Sequence, residues 1–232
     1  MITVVEPQGI IESELDGEAI MRLLERAGRT CYRSEDKIVD GESAEGFIQG
    51  IIKRGHESVI EHAVISARII CDRSTSHQLV RHRLAAYSQE SQRYCDYGKK
   101  GCQVICPPAI GVPLGSYHSE WFENCGHLVF DDNGEVKFNQ TQLGWLVTVE
   151  QCYDSYLHLR DAKIRPEDAR SVLPNAVKTE VFSTFNLRVW RHIFRERGLN
   201  NHAQWQIRGI FRELLDKFVV ELPAVFGDLL EV

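Results

Sequence analysis

Two apolar periods alternate irregularly along this 232-residue chain, and that irregular order restricts its fold more than any other feature. Helical spacing appears in 17–28, where Ile20, Leu23, Leu24 and Ala27 share a face. It returns in 43–54, where Phe47, Ile48, Ile51 and Ile52 precede a stop at Gly55. The β-branched run 63–71 reads as a buried strand, and a short helix is expected over 74–83. The strongest helix is 140–161, with Trp145, Leu146, Val149, Cys152, Tyr153, Tyr156 and Leu157 at helical spacing. Pro166 opens a shorter helix, 178–185 alternates as a strand, and helices are expected at 187–197 and 201–220. The least regular stretch is 101–139, which holds Pro107-Pro108 and a hairpin signal at Asn133-Gly134 between 128–130 and 136–138. Regular strand–helix alternation would build a doubly wound parallel sheet. The observed order, with its hairpin, predicts an α+β fold: a central, mostly antiparallel sheet flanked by helices. No repeat or low-complexity linker interrupts the chain, so 1–232 is expected to be a single domain, with 101–139 a variable hairpin or loop insertion.

Charge narrows the function classes. The 27 Lys and Arg against 33 Asp and Glu give −6 and a pI near 5.9. That balance disfavours polymeric nucleic acid as a partner, which needs a basic surface to release counterions. Two islands run the other way. Residues 77–100 carry Arg81, Arg83, Arg93, Lys99 and Lys100 against Glu90 and Asp96, and 187–208 carry Arg188, Arg191, Arg195, Arg197 and Arg208 against Glu196. Cationic islands in an acidic chain indicate a local anion site. No GxGxxG or phosphate-loop motif is present, so any nucleotide is expected to rest on side chains and helix ends. The first residues show no basic, apolar leader pattern and no run is long enough to span a membrane, so a cytoplasmic protein is expected. Seven cysteines, at 31, 71, 95, 102, 106, 125 and 152, fit reduced thiols; without a CxxC pair, no metal site is expected.

Three polar constellations stand out. The first is Gln78-Leu-Val-Arg-His-Arg83 followed by Tyr87-Ser-Gln-Glu-Ser-Gln-Arg-Tyr94. Arg81 and Arg83 flank His82, and on a helix end they would splay toward different ligands. Arginine offers a planar fork matched to phosphate and carbonyl oxygens. The second is Asn186-Leu-Arg188, His192, Arg197 and His202-Ala-Gln-Trp205, in which Arg188 and His192 share a helix face. The third, Arg54-Gly-His-Glu-Ser-Val-Ile-Glu-His62, raises a metal reading but lacks the spacing of a two-histidine helix face. Cys95 beside Tyr94 has no neighbour that would activate it as a nucleophile.

Together these motifs make the chain similar to the flavin-dependent thymidylate synthases (ThyX). Arg81-His82-Arg83, then residues 84–90, then Ser91 resembles the family signature, and Gln92-Arg93-Tyr94 continues it. Gly55-His-Glu-Ser58 with Glu61-His62 resembles an earlier cofactor-facing segment, and Asp168-Ala-Arg-Ser-Val-Leu-Pro174 and the 186–205 constellation resemble later blocks. One departure lies inside the signature. Gln89 stands where a glutamate is common, and the acid falls one place later, at Glu90.

The resemblance implies conversion of dUMP to dTMP, with methylenetetrahydrofolate as carbon donor and FAD and NADPH supplying reducing equivalents. It also implies a homotetramer with active sites shared between subunits. Its dUMP-contacting positions correspond to Gln78, Arg81, Gln89, Glu90, Ser91, Gln92, Arg93, Arg170 and Arg197. Its FAD-contacting positions correspond to Ser58, Arg81, His82, Arg83, Gln89, Asn186, Arg188 and His192. Arg197 is the expected catalytic residue, stabilising negative charge on the uracil ring, and Ser91 is assigned to substrate binding because no base is evident beside it. Two other classes remain open at this level. A nucleic-acid module would be colourless and bind oligonucleotides in a salt-sensitive way, and a His/Cys metalloenzyme would carry zinc and lose activity to chelators.

Overall fold

A computed structural model describes residues 1–124 and 126–230. In chain order its strands are β1 (Ile2–Val4), β2 (Gln8–Ile11), β3 (Val64–Asp72), β4 (Ala86–Gln89), β5 (Cys102–Val104), β6 (Gly115–Phe122), β7 (Gly126–Asp131), β8 (Gly134–Val136) and β9 (Lys178–Asn186). Its helices are α1 (Gly17–Tyr32), α2 (Ala44–Lys53), α3 (Arg73–Leu79), α4 (Tyr97–Lys100), α5 (Gln140–Asp161), α6 (Pro166–Ala169), α7 (Leu187–Ile193), α8 (Trp205–Glu221) and α9 (Pro223–Phe226). Strands and helices mix as an α+β fold requires, but the strands divide between two sheets rather than forming one central sheet. By contacts the chain separates into two compact units. One comprises Met1–Pro7, Ile70–His77 and Gln89–Val181; the other comprises Gln8–Ile69, Gln78–Ser88 and Phe182–Val232.

The first unit carries a sheet of order β5-β1-β6-β7-β8, in which β1 and β5 are parallel and the other pairs antiparallel. Region 101–139 therefore supplies β5 to β8 and is more regular than its sequence predicts. Its pattern is weak because β6 buries little beyond Tyr117 and leaves Trp121 exposed. The expected hairpin is present, with Asp131 opposite Gly134. Helix α5 begins at a capping box, Asn139 and Gln142 each satisfying the other's backbone N–H. It buries Leu146, Val149, Tyr153 and Tyr156 in one cluster with Ile2, Val4 and Val104.

The second unit holds most of a sheet of order β2-β3-β9-β4. Alternate residues of β3 are buried, as the β-branched run requires. Its core is aromatic: Trp190 stacks on Phe194 at 5.4 Å, lies 4.9 Å from Phe218, and donates its indole N–H to the Ile65 carbonyl at 3.1 Å. The helix expected over 187–197 is α only to Ile193 and continues as a π-helical turn, Phe194–Leu199. Gly198 makes that turn possible, because a Cβ there would come within 3.2 Å of the Phe211 backbone in α8. The described cysteines are all free, Cys125 lying outside the described residues, and burial pushes Cys71 and Cys102 up to about 12, where they are unreactive thiols. No helix among the described residues is long and apolar enough to cross a membrane.

Candidate active site

The second unit contains an open cavity of about 650 Å³. Arg81, His82, Arg83, Asn186, Arg188 and His192 line it together with Glu57, Glu61, Leu84, Val189 and Arg195. Local backbone geometry explains how. The helix expected over 74–83 stops at Leu79, and 80–85 forms a turn in which Leu84 takes φ +64. This turn buries His82 and exposes Arg81 and Arg83, so both arginines face one cavity rather than two ligands on opposite sides. Tyr87 clamps the turn by donating its hydroxyl to the carbonyls of His82 at 2.6 Å and Leu79 at 3.0 Å. Across the cavity Asn186 caps α7, accepting from the Val189 N–H at 2.9 Å. Arg188 and His192 then emerge on the same helix face.

His82, in the cavity lining, contacts Arg197, which does not itself line the cavity. Arg197 Nε donates to His82 Nε2 at 3.1 Å, and the His192 ring lies 5.7 Å from that of His82. Burial, then the Arg197 charge and His192, lower the His82 pKa to about 4. His82 is therefore a neutral acceptor at physiological pH, and it fixes Arg197 through Nε alone. The Nη groups of Arg197 make no hydrogen bond among the described residues. Arg81 and Arg83 likewise make no ion pair among the described residues, whereas Arg188 binds Glu61 at 2.6 Å. Ser58 is exposed beside Glu57 without lining the cavity, and Gln78 is half-buried on α3.

The remaining expected substrate contacts lie in the first unit. Gln89 donates to Ser76 Oγ at 2.9 Å. Glu90 accepts from the Tyr97 hydroxyl at 3.2 Å and pairs with Lys178 at 3.3 Å, while its carbonyl accepts from Arg73 at 3.3 Å. Both side chains at the family departure are thus engaged inside the unit. Ser91 Oγ accepts from the Arg93 backbone N–H at 3.3 Å and bonds no side-chain base among the described residues. Gln92 is half-buried beside it. Arg93 and Arg170 converge on one residue: Arg93 Nε meets the Glu167 carboxylate at 3.1 Å, and Arg170 Nε donates to the Glu167 carbonyl at 3.0 Å. The Arg93 and Arg165 guanidiniums hold the Glu167 carboxyl below the usual carboxylate range. As with Arg197, Arg93 and Arg170 are held through Nε, leaving their Nη groups without a hydrogen bond among the described residues.

Sequence reasoning missed Arg195, and it read Glu57 and Glu61 for metal or cofactor chemistry rather than as arginine partners. His56 is taken by the Tyr32 hydroxyl at 2.7 Å, and no cluster of His, Cys, Asp or Glu with metal-holding geometry occurs among the described residues. The chemistry of this donor set suits an anion, with guanidiniums from Arg81, Arg83, Arg188 and Arg195 outnumbering the two carboxylates.

A family model described as thymidylate synthase complementing protein matches residues 16–224. A protein of Mycolicibacterium vanbaalenii named flavin-dependent thymidylate synthase is 35% identical over 218 residues, covering 93% of this chain and 81% of that protein. One of Geobacter sulfurreducens with the same name is 33% identical, covering 94% and 84%. The fold also matches a crystal structure of a UMP/dUMP methylase, PolB from Streptomyces cacaoi, bound with 5-Br dUMP. That match has a TM-score of 0.73 at 18% identity and covers 97% of this chain and 95% of that one.

Proposed function

The chain belongs to the thymidylate synthase complementing protein family, the flavin-dependent thymidylate synthases, and from that membership we propose that it methylates dUMP to dTMP. The carbon donor is methylenetetrahydrofolate, FAD is the bound cofactor, and NADPH is the source of reducing equivalents. The observation that carries this reading is the cationic cavity on which Arg81, His82, Arg83, Asn186, Arg188 and His192 meet. Its volume, about 650 Å³, falls within the range of cofactor pockets. Those six residues would hold FAD, whose chemistry is hydride transfer. The family match, residues 16–224, runs through both compact units, which supports treating the chain as one functional domain; that 101–139 is its variable part is a further proposal. A homotetramer in the cytoplasm completes the proposal, with shared sites supplying the remaining contacts for several large ligands.

Within this reading Arg197 is the catalytic residue. Uracil must carry negative charge to become electron-rich at C5, and a guanidinium placed against the ring stabilises that charge without surrendering its proton. Neutral His82 orients Arg197 through Nε and leaves the Nη fork for substrate. Arg93 and Arg170, tethered at Glu167, direct their free ends to the dUMP phosphate, aided by Gln78, Arg81 and Gln92. Ser91 binds rather than attacks, since no base among the described residues bonds its hydroxyl. The test is product formation: dTMP accumulates from dUMP only when methylenetetrahydrofolate, NADPH and FAD are all present. Protein that binds FAD yet makes no dTMP would refute the assignment.

A further inference from the structure

Glu57 collects three arginines. Arg191 Nε lies 3.3 Å and Arg195 Nη2 3.6 Å from its Oε1, and Arg188 Nε lies 3.8 Å from its Oε2. The arginines are spaced three and four residues apart, one stripe along α7 into the π-helical turn. Glu57, Arg188 and Arg195 line the cavity, whereas Arg191 does not and is 0% exposed. Arg191 does not need Glu57 for charge compensation. Asp228 takes its two Nη groups at 2.7 Å each, and the Val225 carbonyl accepts as well. This bidentate pair joins the buried Arg191 to the exposed Asp228 and fixes the guanidinium in one orientation. Glu57 is therefore pinned from inside; it supplies the one ion pair of Arg195 among the described residues and a second carboxylate beside Arg188, which Glu61 already binds at 2.6 Å.

We infer that Glu57, fixed by Arg191, is a positioning residue that holds Arg188 and Arg195 as a two-armed clamp for anionic oxygens, and that Arg195 is itself a ligand-binding cation. The inference rests on the cavity being the cofactor site, where the oxygens are those of a pyrophosphate. Restraining the arginines before the ligand arrives lowers the ordering cost of binding. A carboxylate among cations has an opposite possible effect, repelling the same ligand, so the sign of its removal decides.

The experiment titrates FAD into the full-length protein by flavin fluorescence, with Glu57→Gln and Arg195→Met as variants. Glu57→Gln leaves Arg191 paired with Asp228, so folding is retained. Both variants are expected to bind FAD about tenfold more weakly, with the KM for dUMP changed less than about twofold. Unchanged or tighter FAD binding by Glu57→Gln overturns the clamp, and should that variant fold poorly, unchanged binding by exposed Arg195→Met overturns it equally. Inorganic pyrophosphate reads the clamp apart from the cofactor. It is expected to raise the unfolding midpoint of the unmodified protein and to raise that of Arg195→Met less. Equal shifts, or no shift in either, refute the clamp. Failure to bind FAD with a differential pyrophosphate effect refutes the cofactor reading instead.

Discussion

The cavity of the second unit and the 89–93 segment of the first carry the same residue types in opposite states. In the cavity, Arg81 and Arg83 are unpaired among the described residues and face open space beside Arg188 and His192. In the 89–93 segment, Gln89 is bound to Ser76, Glu90 to Tyr97 and Lys178, and Arg93 to Glu167. The cavity is an assembled concave site, whereas the segment is a set of polar side chains docked on internal partners. Concavity comes from the short turn and helix start that the Arg81–Arg83 and Asn186–His192 motifs form locally. The segment's residues are held by partners distant in sequence, and its motif alone does not build a pocket.

The comparison can be broken most forcefully at Arg197. Arg197→Lys keeps the charge but loses the fork and the Nε contact with His82, and kcat is expected to fall about 100-fold or more. Turnover assays with the unfolding midpoint as control check this; near-normal kcat would remove Arg197 from catalysis. The next largest effects should separate the two regions. Arg93→Met is expected to raise the KM for dUMP about tenfold or more while leaving FAD affinity unaltered, and Arg188→Met to do the reverse. Both variants weakening both ligands equally would show the regions to be one coupled site. Ser91→Ala is expected to keep turnover within about tenfold, as lost binding hydrogen bonds do. Abolished turnover with intact dUMP affinity and flavin reduction would make Ser91 catalytic.

The smallest effect concerns pH. His82 is lowered from 6.5 to about 4, so between those values the unfolded chain takes up a proton that the folded protein refuses. Stability contributed by neutral His82 is complete above about 6.5, declines as pH falls, and is gone below about 4. Replacing His82 with Asn should flatten the stability profile across that window in chemical denaturation series. An unaltered slope would mean that other groups dominate it.

Much of this was legible in residue spacing. Helix α5 was readable because seven apolar side chains repeat at helical period, and β3 because Val64-Ile65 and Ile69-Ile70 concentrate β-branched residues in it. The β7–β8 hairpin was readable from Asn133-Gly134, but β5 and β6 were not, because β6 leaves so much of its surface to solvent that burial imposes little alternation. The end of α3 was misplaced since nothing between Leu79 and Arg83 breaks a helix in sequence; the turn is set instead by Tyr87 binding two of its carbonyls. Within the site, Arg188 and His192 were visible as a pair at helical spacing. Arg195 stands in the same stripe, yet its role depends on Glu57, which is distant in sequence. Position 90 shows the limit most plainly: an acid next to an expected contact is engaged by Lys178 and Tyr97, a pairing that no local pattern announces.

If the cationic cavity holds FAD in an enzyme that methylates dUMP, as proposed, the visible spectrum of the purified protein will show it. The account expects a yellow protein, or a colourless one that turns yellow with added FAD. Its flavin bands should bleach with NADPH, and dUMP should perturb the spectrum. A preparation that stays colourless after FAD reconstitution would contradict the account.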